Sequence, residues 1–317
     1  MQNLIKTKHG SLALVFLYYL ISFYLAYLFT KNFDLDGWLL ILVWHITATL
    51  IIFLFSNIHK NSSIYDPFWH VAPIPIVFYI ANQSSLSNLE QGLVISAFLF
   101  WALRLTYNWF LNWTNLDHED FRYIDLKNKN TLLAFINDLF GIHLIPTLIV
   151  NISLYPIYVA LTSEDLNNLV YVGFILIAVA VTVQYISDDQ MRNFRKDINN
   201  LGKTMKYGLW KYSRHPNYLG EVSFWFGIYI FALSSGSTSL WVLACPLVML
   251  ALFVFISCPM MDNRSLKKRP DYKEYMEKTP QLLFWFVKDS CLYRILALNE
   301  PPFVCSSNSS ASSCPSP

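Results

Sequence analysis

Charge is scarce in this chain. Only 14% of its 317 residues are Asp, Glu, Lys or Arg, where a soluble domain carries about a quarter. With 55% hydrophobic and 17% aromatic residues and a mean hydropathy of +0.37, that scarcity excludes an ordinary soluble domain and points to an integral membrane protein. The formal net charge of +2 says little by itself, and no nucleic-acid partner is expected. Cysteine is sparse as well. Cys245, Cys258, Cys291, Cys305 and Cys314 show no CxxC or Cys/His spacing, so neither a zinc site nor a disulfide framework is read, and no metal is expected. There is no P-loop, no GxGxxG and no internal repeat. A nucleotide bound here would not be held by a Rossmann turn. No small-residue cleavage site follows the first apolar run, so no cleavable signal peptide is read.

What the chain has is long apolar runs. A membrane-spanning helix needs about 20 such residues, and the sequence predicts spans near 11–30, 37–56, 64–81, 90–111, 138–161, 167–187, 217–235 and 238–257. The third holds Asp66, His70 and three prolines, and the fifth holds Pro146 and Pro156, where kinks are expected. The expected fold is all-α, a polytopic bundle of about eight transmembrane helices. Lysines and arginines set its orientation. With both termini cytoplasmic, 21 of the 23 fall on the inner side, Lys31 falls outside and Arg104 lies within a span. The polar segments 112–130, 188–216 and 259–296 then share the cytoplasmic face. QLLFWFVKDSCLYRIL, from 281, reads as an interfacial helix, and SSNSSASSCPSP as a disordered Ser-rich tail. The organisation read is a transmembrane pair over 1–58, a catalytic membrane domain over 59–285, and the interfacial segment with the tail over 286–317. Asn82-Gln83-Ser84 is a glycosylation acceptor close to the lumenal surface.

The chemistry concentrates at YGLWKYSRHPNYLGEVSFWFGIY, 207–229. Pro216 suits the first position of a helix, whose free N–H groups and dipole attract anions. Arg214 and His215 stand just outside it, a binding place for a phosphate-bearing cofactor. The same residues, with Lys211, serve a membrane helix equally well as an anchor to lipid headgroups. Inside the span, Asn217 and Glu221 share one face, flanked by Tyr218 and Trp225. A carboxylate in a membrane helix is a functional candidate by default; its alternative is a structural pairing with Arg104 or Arg192. Three further clusters carry polar groups. ISDDQMRNFRKD places Asp188, Arg192 and Arg195 on one helical side, suited to phosphate oxygens or to an ordinary ion pair. LDHEDFRYID holds His118, Glu119, Asp120, Arg122 and Tyr123, and IYDPFWH holds Tyr65, Asp66 and His70. Asp66 and His70 are i and i+4, which allows a carboxylate-oriented imidazole; Asp66 as an N-cap ahead of Pro67 explains half of that without function. His45 and His143 read as packing residues.

GLWKYSRHPNYLGE resembles the membrane family of steroid 5α-reductase-like proteins, in particular its DUF1295 branch. YDPFWH, WALRLTYNW, HEDFRY, FGIHLIPT, SDDQMRNF and RPDYKEYMEKTP look like the branch's recurring segments, in order, so the resemblance spans about 60–285. A similar Arg-His-Pro element occurs in isoprenylcysteine carboxyl methyltransferases and phospholipid methyltransferases, which use S-adenosylmethionine. The resemblance implies a helical membrane enzyme whose C-terminal spans enclose NADPH from the cytoplasmic side and which reduces a carbonyl-activated C=C bond. The family's cofactor positions fall on Asp188, Arg195, Asn217, Gly220, Glu221 and Trp225, with Arg214, His215 and Tyr218 matching the branch's own motif and Arg192 beside them. The steroid reductases proper polarise the steroid ketone with a Gln-Glu pair and a tyrosine in their N-terminal spans; no equivalent pair is found here, and Met261 and Ser265 stand where those enzymes carry His and Tyr. For the catalytic acid the candidates are Tyr123, Glu119, Tyr65, His70 and Tyr218. The implied substrate is a lipophilic small molecule from the bilayer, and the implied location, in a eukaryote, is the endoplasmic reticulum membrane. The alternatives are an S-adenosylmethionine-dependent methyltransferase and a non-catalytic lipid-binding membrane protein.

Overall fold

A computed structural model describes residues 6–127 and 130–282. Among them there is no β-strand. Eleven helices follow one another: α1 (Lys8–Thr30), α2 (Gly37–His59), α3 (Tyr65–Val71), α4 (Pro73–Ala81), α5 (Asn88–Asn112), α6 (Phe121–Lys127), α7 (Thr131–Leu161), α8 (Leu169–Lys196), α9 (Pro216–Ser234), α10 (Leu240–Lys268) and α11 (Tyr272–Lys278). The chain is a multi-pass all-α membrane protein: α1, α2, α5, α7, α8 and α10 are each long and apolar enough to cross a membrane. The interfacial helix expected from 281 lies, from residue 283 on, outside the described residues, as does the Ser-rich tail.

Local sequence explains where these helices begin and end. Thr7 caps α1 by accepting the Gly10 N–H, and Ser87 with Glu90 forms a reciprocal capping box on α5. Lys60 closes α2 from the left-handed region, φ 53°, with its N–H on the Ser56 and Asn57 carbonyls. The span expected over 64–81 is not one helix but the short pair α3 and α4. Pro73 and Pro75 have no N–H to continue the α3 ladder, so it stops at Ala72. Prolines act more gently in α7 and α10. Asn137–Leu144 and Phe253–Ser257 widen into π winding, each two residues ahead of a proline, Pro146 and Pro259, and the helix then resumes.

Helix α9 runs through the middle of the bundle. It packs on α7, α8 and α10, and Phe224, Trp225, Ile228 and Phe231 are all fully buried. A central helix can therefore carry a carboxylate, because protein rather than lipid surrounds it. Its closest neighbour is α8. Small residues let two membrane helices approach, and here Gly173 of α8 meets Gly227 and Phe231, while Gly220 sits on Ala180 and Gln184. A Cβ on Gly227 would lie 2.4 Å from Ile177 Cγ1, and one on Gly220 would lie 2.7 Å from the Ala180 carbonyl oxygen.

Overpacking of this kind costs about 1–3 kcal/mol. Gly227→Ala is expected to lower the thermal midpoint in detergent, and Ile177→Ala in the same chain to restore part of the loss, because the obstructing atoms are a side chain. Gly220→Ala is expected to have no such single-residue rescue, because it meets backbone. A double-mutant cycle at 177 and 227 showing no coupling would contradict this packing.

Candidate functional site

Three helices are joined by one chain of buried polar groups. Arg104 of α5 pairs with Asp188 of α8 and donates from Nη1 to Gln184 Oε1 at 2.8 Å. Gln184 Nε2 donates to Glu221 Oε2 at 3.1 Å. The other Glu221 oxygen accepts from the indoles of Trp101, 2.9 Å, and Trp225, 3.1 Å. At the opposite end Asn217 Nδ2 donates to Asp188 Oδ1 at 3.2 Å. Glu221 thus pairs directly with neither Arg104 nor Arg192. It reaches Arg104 through Gln184.

Beside the Asp188 end lies a cavity of about 700 Å³, within the range of small-molecule and cofactor sites, about 300–1,000 Å³. The polar segments around 120, 188–218 and 261–275 converge on it. Arg122, Arg192, Arg195, Lys196, Arg214, Arg264, Lys268 and Arg269 line it against two carboxylates, Asp120 and Asp188, and the start of α9 opens into it with Asn217 and Tyr218. Two of these arginines keep buried N–H groups without a partner among the described residues, Arg192 Nη1 and Arg214 Nε. Orphaned donors on a cationic wall fit a phosphate-bearing group. No cluster of His, Cys, Asp or Glu among the described residues could hold a metal ion. A second cavity, about 390 Å³ and mostly apolar, lies at the far end of α1 and the start of α2, lined by Phe23, Tyr27, Trp44, Ile76 and Tyr79 among others.

The cationic cavity is closed on one side by the segment 269–282, fastened to the loop before α9. The Arg214 N–H donates to the Pro280 carbonyl at 2.9 Å, and its Nη1 to that of Met276 at 3.2 Å. Tyr275 donates to the Trp210 carbonyl at 2.5 Å. Asp271 accepts from Thr204 Oγ1 at 2.6 Å and pairs with Lys206 at 3.0 Å. In the middle of this clasp Asp262 is buried and holds three groups: His215 Nε2 at 2.9 Å, the Tyr272 hydroxyl at 2.5 Å and Arg214 Nη2 at 3.2 Å.

Of the cofactor positions named from sequence, Asp188, Arg192, Arg195, Arg214, His215, Asn217 and Tyr218 line this one cavity. Gly220, Glu221 and Trp225 do not; they face the helix interfaces behind its wall. Among the candidate acids Tyr218 lines the cavity and the others are engaged elsewhere. Tyr123 donates to Asp66, and burial together with that carboxylate pushes its hydroxyl well above the usual tyrosine range. Glu119 is held by Lys127 and the Ser62 N–H. Tyr65 bonds Thr147 at 2.7 Å. His70 is buried with Thr106 at 3.3 Å. The Asp66–His70 pairing expected from their spacing is not made: Asp66 turns to Tyr123 and Arg122, and it sits in the first turn of α3 rather than at its cap. Asp262, Gln184, Arg264 and Arg269 were not singled out in the sequence. The available signal for Asp262 was a carboxylate at the end of an apolar span, and for Arg264 and Arg269 the basic stretch that follows it; for Gln184 there was none.

Breaking a buried ion pair from one side costs about 3–5 kcal/mol, because the partner charge is left alone. Asp188→Ala is expected to destabilise the protein by that order, and Arg104→Met with Asp188→Leu to recover most of the loss in a thermal-melt series. The clasp carries a pH dependence. Burial works to raise the Asp271 carboxyl, but hydrogen bonds from Thr204 and Lys206 outweigh it and hold the group below the usual carboxylate range. Its contribution is therefore present above the unfolded value, about 3.9, and lost as pH falls through the lower folded value. Limited proteolysis is expected to cut 269–282 faster at acid pH in the wild type, while Asp271→Asn is cut faster at neutral pH and gains less on acidification, the remaining gain coming from Asp262.

No solved structure matches this chain. The uncharacterized protein C594.04c of Schizosaccharomyces pombe is 26% identical over 269 residues, covering 74% of this chain and 77% of its own length. The family model described as "Protein of unknown function (DUF1295)" matches residues 52–279, which takes in α3 to α11 with every residue that lines the cationic cavity. The chain belongs to the DUF1295 family.

Proposed function

We propose that this protein is a membrane-bound NAD(P)H-dependent reductase of a lipophilic substrate, acting on a C=C bond activated by a neighbouring carbonyl, as in the steroid 5α-reductase-like enzymes that its motifs resemble. The observation that carries the reading is the cationic cavity at the start of α9, with its orphaned arginine donors. Arg192, Arg195, Arg214 and Arg264 would hold the phosphates of NADPH, and Asn217 and Tyr218 would face its ribose and nicotinamide. The bound cofactor supplies the hydride; the chain supplies orientation, exclusion of water and a proton. The substrate enters from the bilayer, and in a eukaryotic cell the proposed location is the endoplasmic reticulum membrane.

A thermal-shift screen of the purified protein in detergent against NADPH, NADH and S-adenosylhomocysteine tests this. NADPH is expected to raise the melting temperature, and Arg195→Ala to weaken NADPH binding about tenfold, as loss of one charge-assisted contact implies. Arg195 is the chosen variant because it lies at the exposed rim, with no ion pair among those found in the described residues. Stabilisation by S-adenosylhomocysteine without NADPH binding would replace the reductase with a methyltransferase. Binding of none of the three would leave a lipid-binding protein.

A further inference from the structure

We infer that His215 is the proton donor of the reaction and Asp262 its positioning residue, an assignment that rests on the reductase reading. Reduction of an activated double bond needs a proton as well as a hydride, from a group that reaches the cavity and exchanges protons near neutral pH. Among the titratable groups lining the cavity, Lys196 and Lys268 are exposed at its rim, Asp120 is tied to Arg122 and Asp188 to Arg104 and Asn217. Tyr272 and Tyr275 already donate, to Asp262 and to backbone carbonyls. His215 and Tyr218 remain, and of the two only an imidazole changes charge between pH 5 and 8 without help.

The geometry around His215 is that of an oriented imidazole. Nε2 faces the buried Asp262 carboxylate at 2.9 Å, so Nε2 carries a proton in either charge state. Nδ1 makes no hydrogen bond to a described residue, and it is not among the buried unpartnered atoms. It is therefore the ring nitrogen open to the cavity. The ring is pinned in plane by Tyr218, centroids 5.3 Å apart and planes 12° from parallel. Arg214 and Tyr272 occupy the remaining sites on Asp262, which keeps the carboxylate fixed on its partner. A bound nicotinamide cofactor would supply hydride to the β-carbon of the unsaturated carbonyl compound, which leaves an electron pair to be protonated at the α-carbon. From its doubly protonated form His215 would give that carbon the Nδ1 proton and become neutral, keeping the Nε2–H on Asp262. Solvent reaching the cavity would return the proton to Nδ1. The groups that touch this ring are Asp262 of α10 and Tyr218 on its own helix, and the Asp262 carboxylate is shared with Tyr272 of α11 and Arg214 in the preceding loop.

Carbethoxylation by diethyl pyrocarbonate attacks neutral imidazole, and mass spectrometry reads it residue by residue. In the intact wild-type protein in detergent, His215 is expected to react and to be slowed at least fivefold by saturating NADPH. His45, His70 and His143, all buried, are unreactive references. A His215 as silent as these would overturn the proposal, and this arm needs no variant. In Asp262→Asn the carboxylate that favours the protonated ring is gone and the Arg214 cation remains, so His215 is expected to react several-fold faster at pH 6.5, the rate–pH profile moving down by about one unit. Asp262→Glu is expected to restore the profile, and Tyr272→Phe, which keeps the charge, to leave it in place. A profile indifferent to Asp262→Asn would overturn the positioning role. Protection by S-adenosylhomocysteine and not by NADPH, with the profile still responding to Asp262, would remove the reductase reading and the donor role with it.

Discussion

A guanidinium inside a membrane helix has to be paired, and the pairing of Arg104 decides how α5, α8 and α9 meet. Its two partners, Gln184 and Asp188, lie on one side of α8, one turn apart. Gln184 passes the network on to Glu221, and Asp188 passes it on to Asn217, so α9 is held at two points four residues apart. In a low-dielectric surrounding each member of such a network depends on the partners it finds, and Arg104 Nε is left without one among the described residues. Glu221 finds three donors, two of them indoles. The glycines between α8 and α9 serve the same end, because hydrogen bonds of this length need backbones close together.

The cavity follows from that seating. With α9 fixed, its first residues stand at the end of the bundle where α8 extends past the apolar layer; at 1.5 Å per residue a helix of 28 residues is about 42 Å long, against about 30 Å of hydrocarbon. The extension brings Arg192, Arg195 and Lys196 to one wall, and α10 brings Arg264 and Lys268 to the other. Like charges gathered this closely repel, and Arg264 and Arg269 both act on Arg195 in that sense. A polyanionic ligand relieves that repulsion. The segment 269–282 completes the enclosure: Tyr275 donates to the Trp210 and Ser213 carbonyls, and the Met276, Pro280 and Gln281 carbonyls accept from Arg214 and Ser213.

Much of this was legible beforehand because membrane insertion leaves strong marks. Apolar runs of about 20 residues, Pro216 at a helix start and the arginine-rich ends of spans all act through local physics, and the helices α1, α2, α5 and α8 lie close to the runs that announced them. The third expected span failed as a single helix because hydropathy counts apolar residues and is blind to the missing N–H groups of Pro73 and Pro75. Gly220 and Trp225 were grouped with the cavity residues through their place in a motif. Helical periodicity turns them instead towards α8 and the indole cluster, and a one-dimensional string does not say which face of a buried helix meets a cavity.

The division has a physical basis. Composition, charge placement and proline position establish a multi-pass helical membrane protein and mark Arg214, His215, Asn217, Tyr218 and Glu221 at a helix start, because solvation and helix-end energetics depend on neighbours within a turn or two. For Asp188, Arg192 and Arg195 it was the family resemblance that favoured a cofactor over an ordinary ion pair. Only the folded chain could decide that Asp262 grips His215 across 47 residues, that Gln184 stands between Glu221 and Arg104, and that Tyr123, Glu119 and His70 are occupied away from the cavity. Those are pairings between distant residues. They exist once packing has excluded water and each buried polar group must find whichever partner the bundle brings within reach.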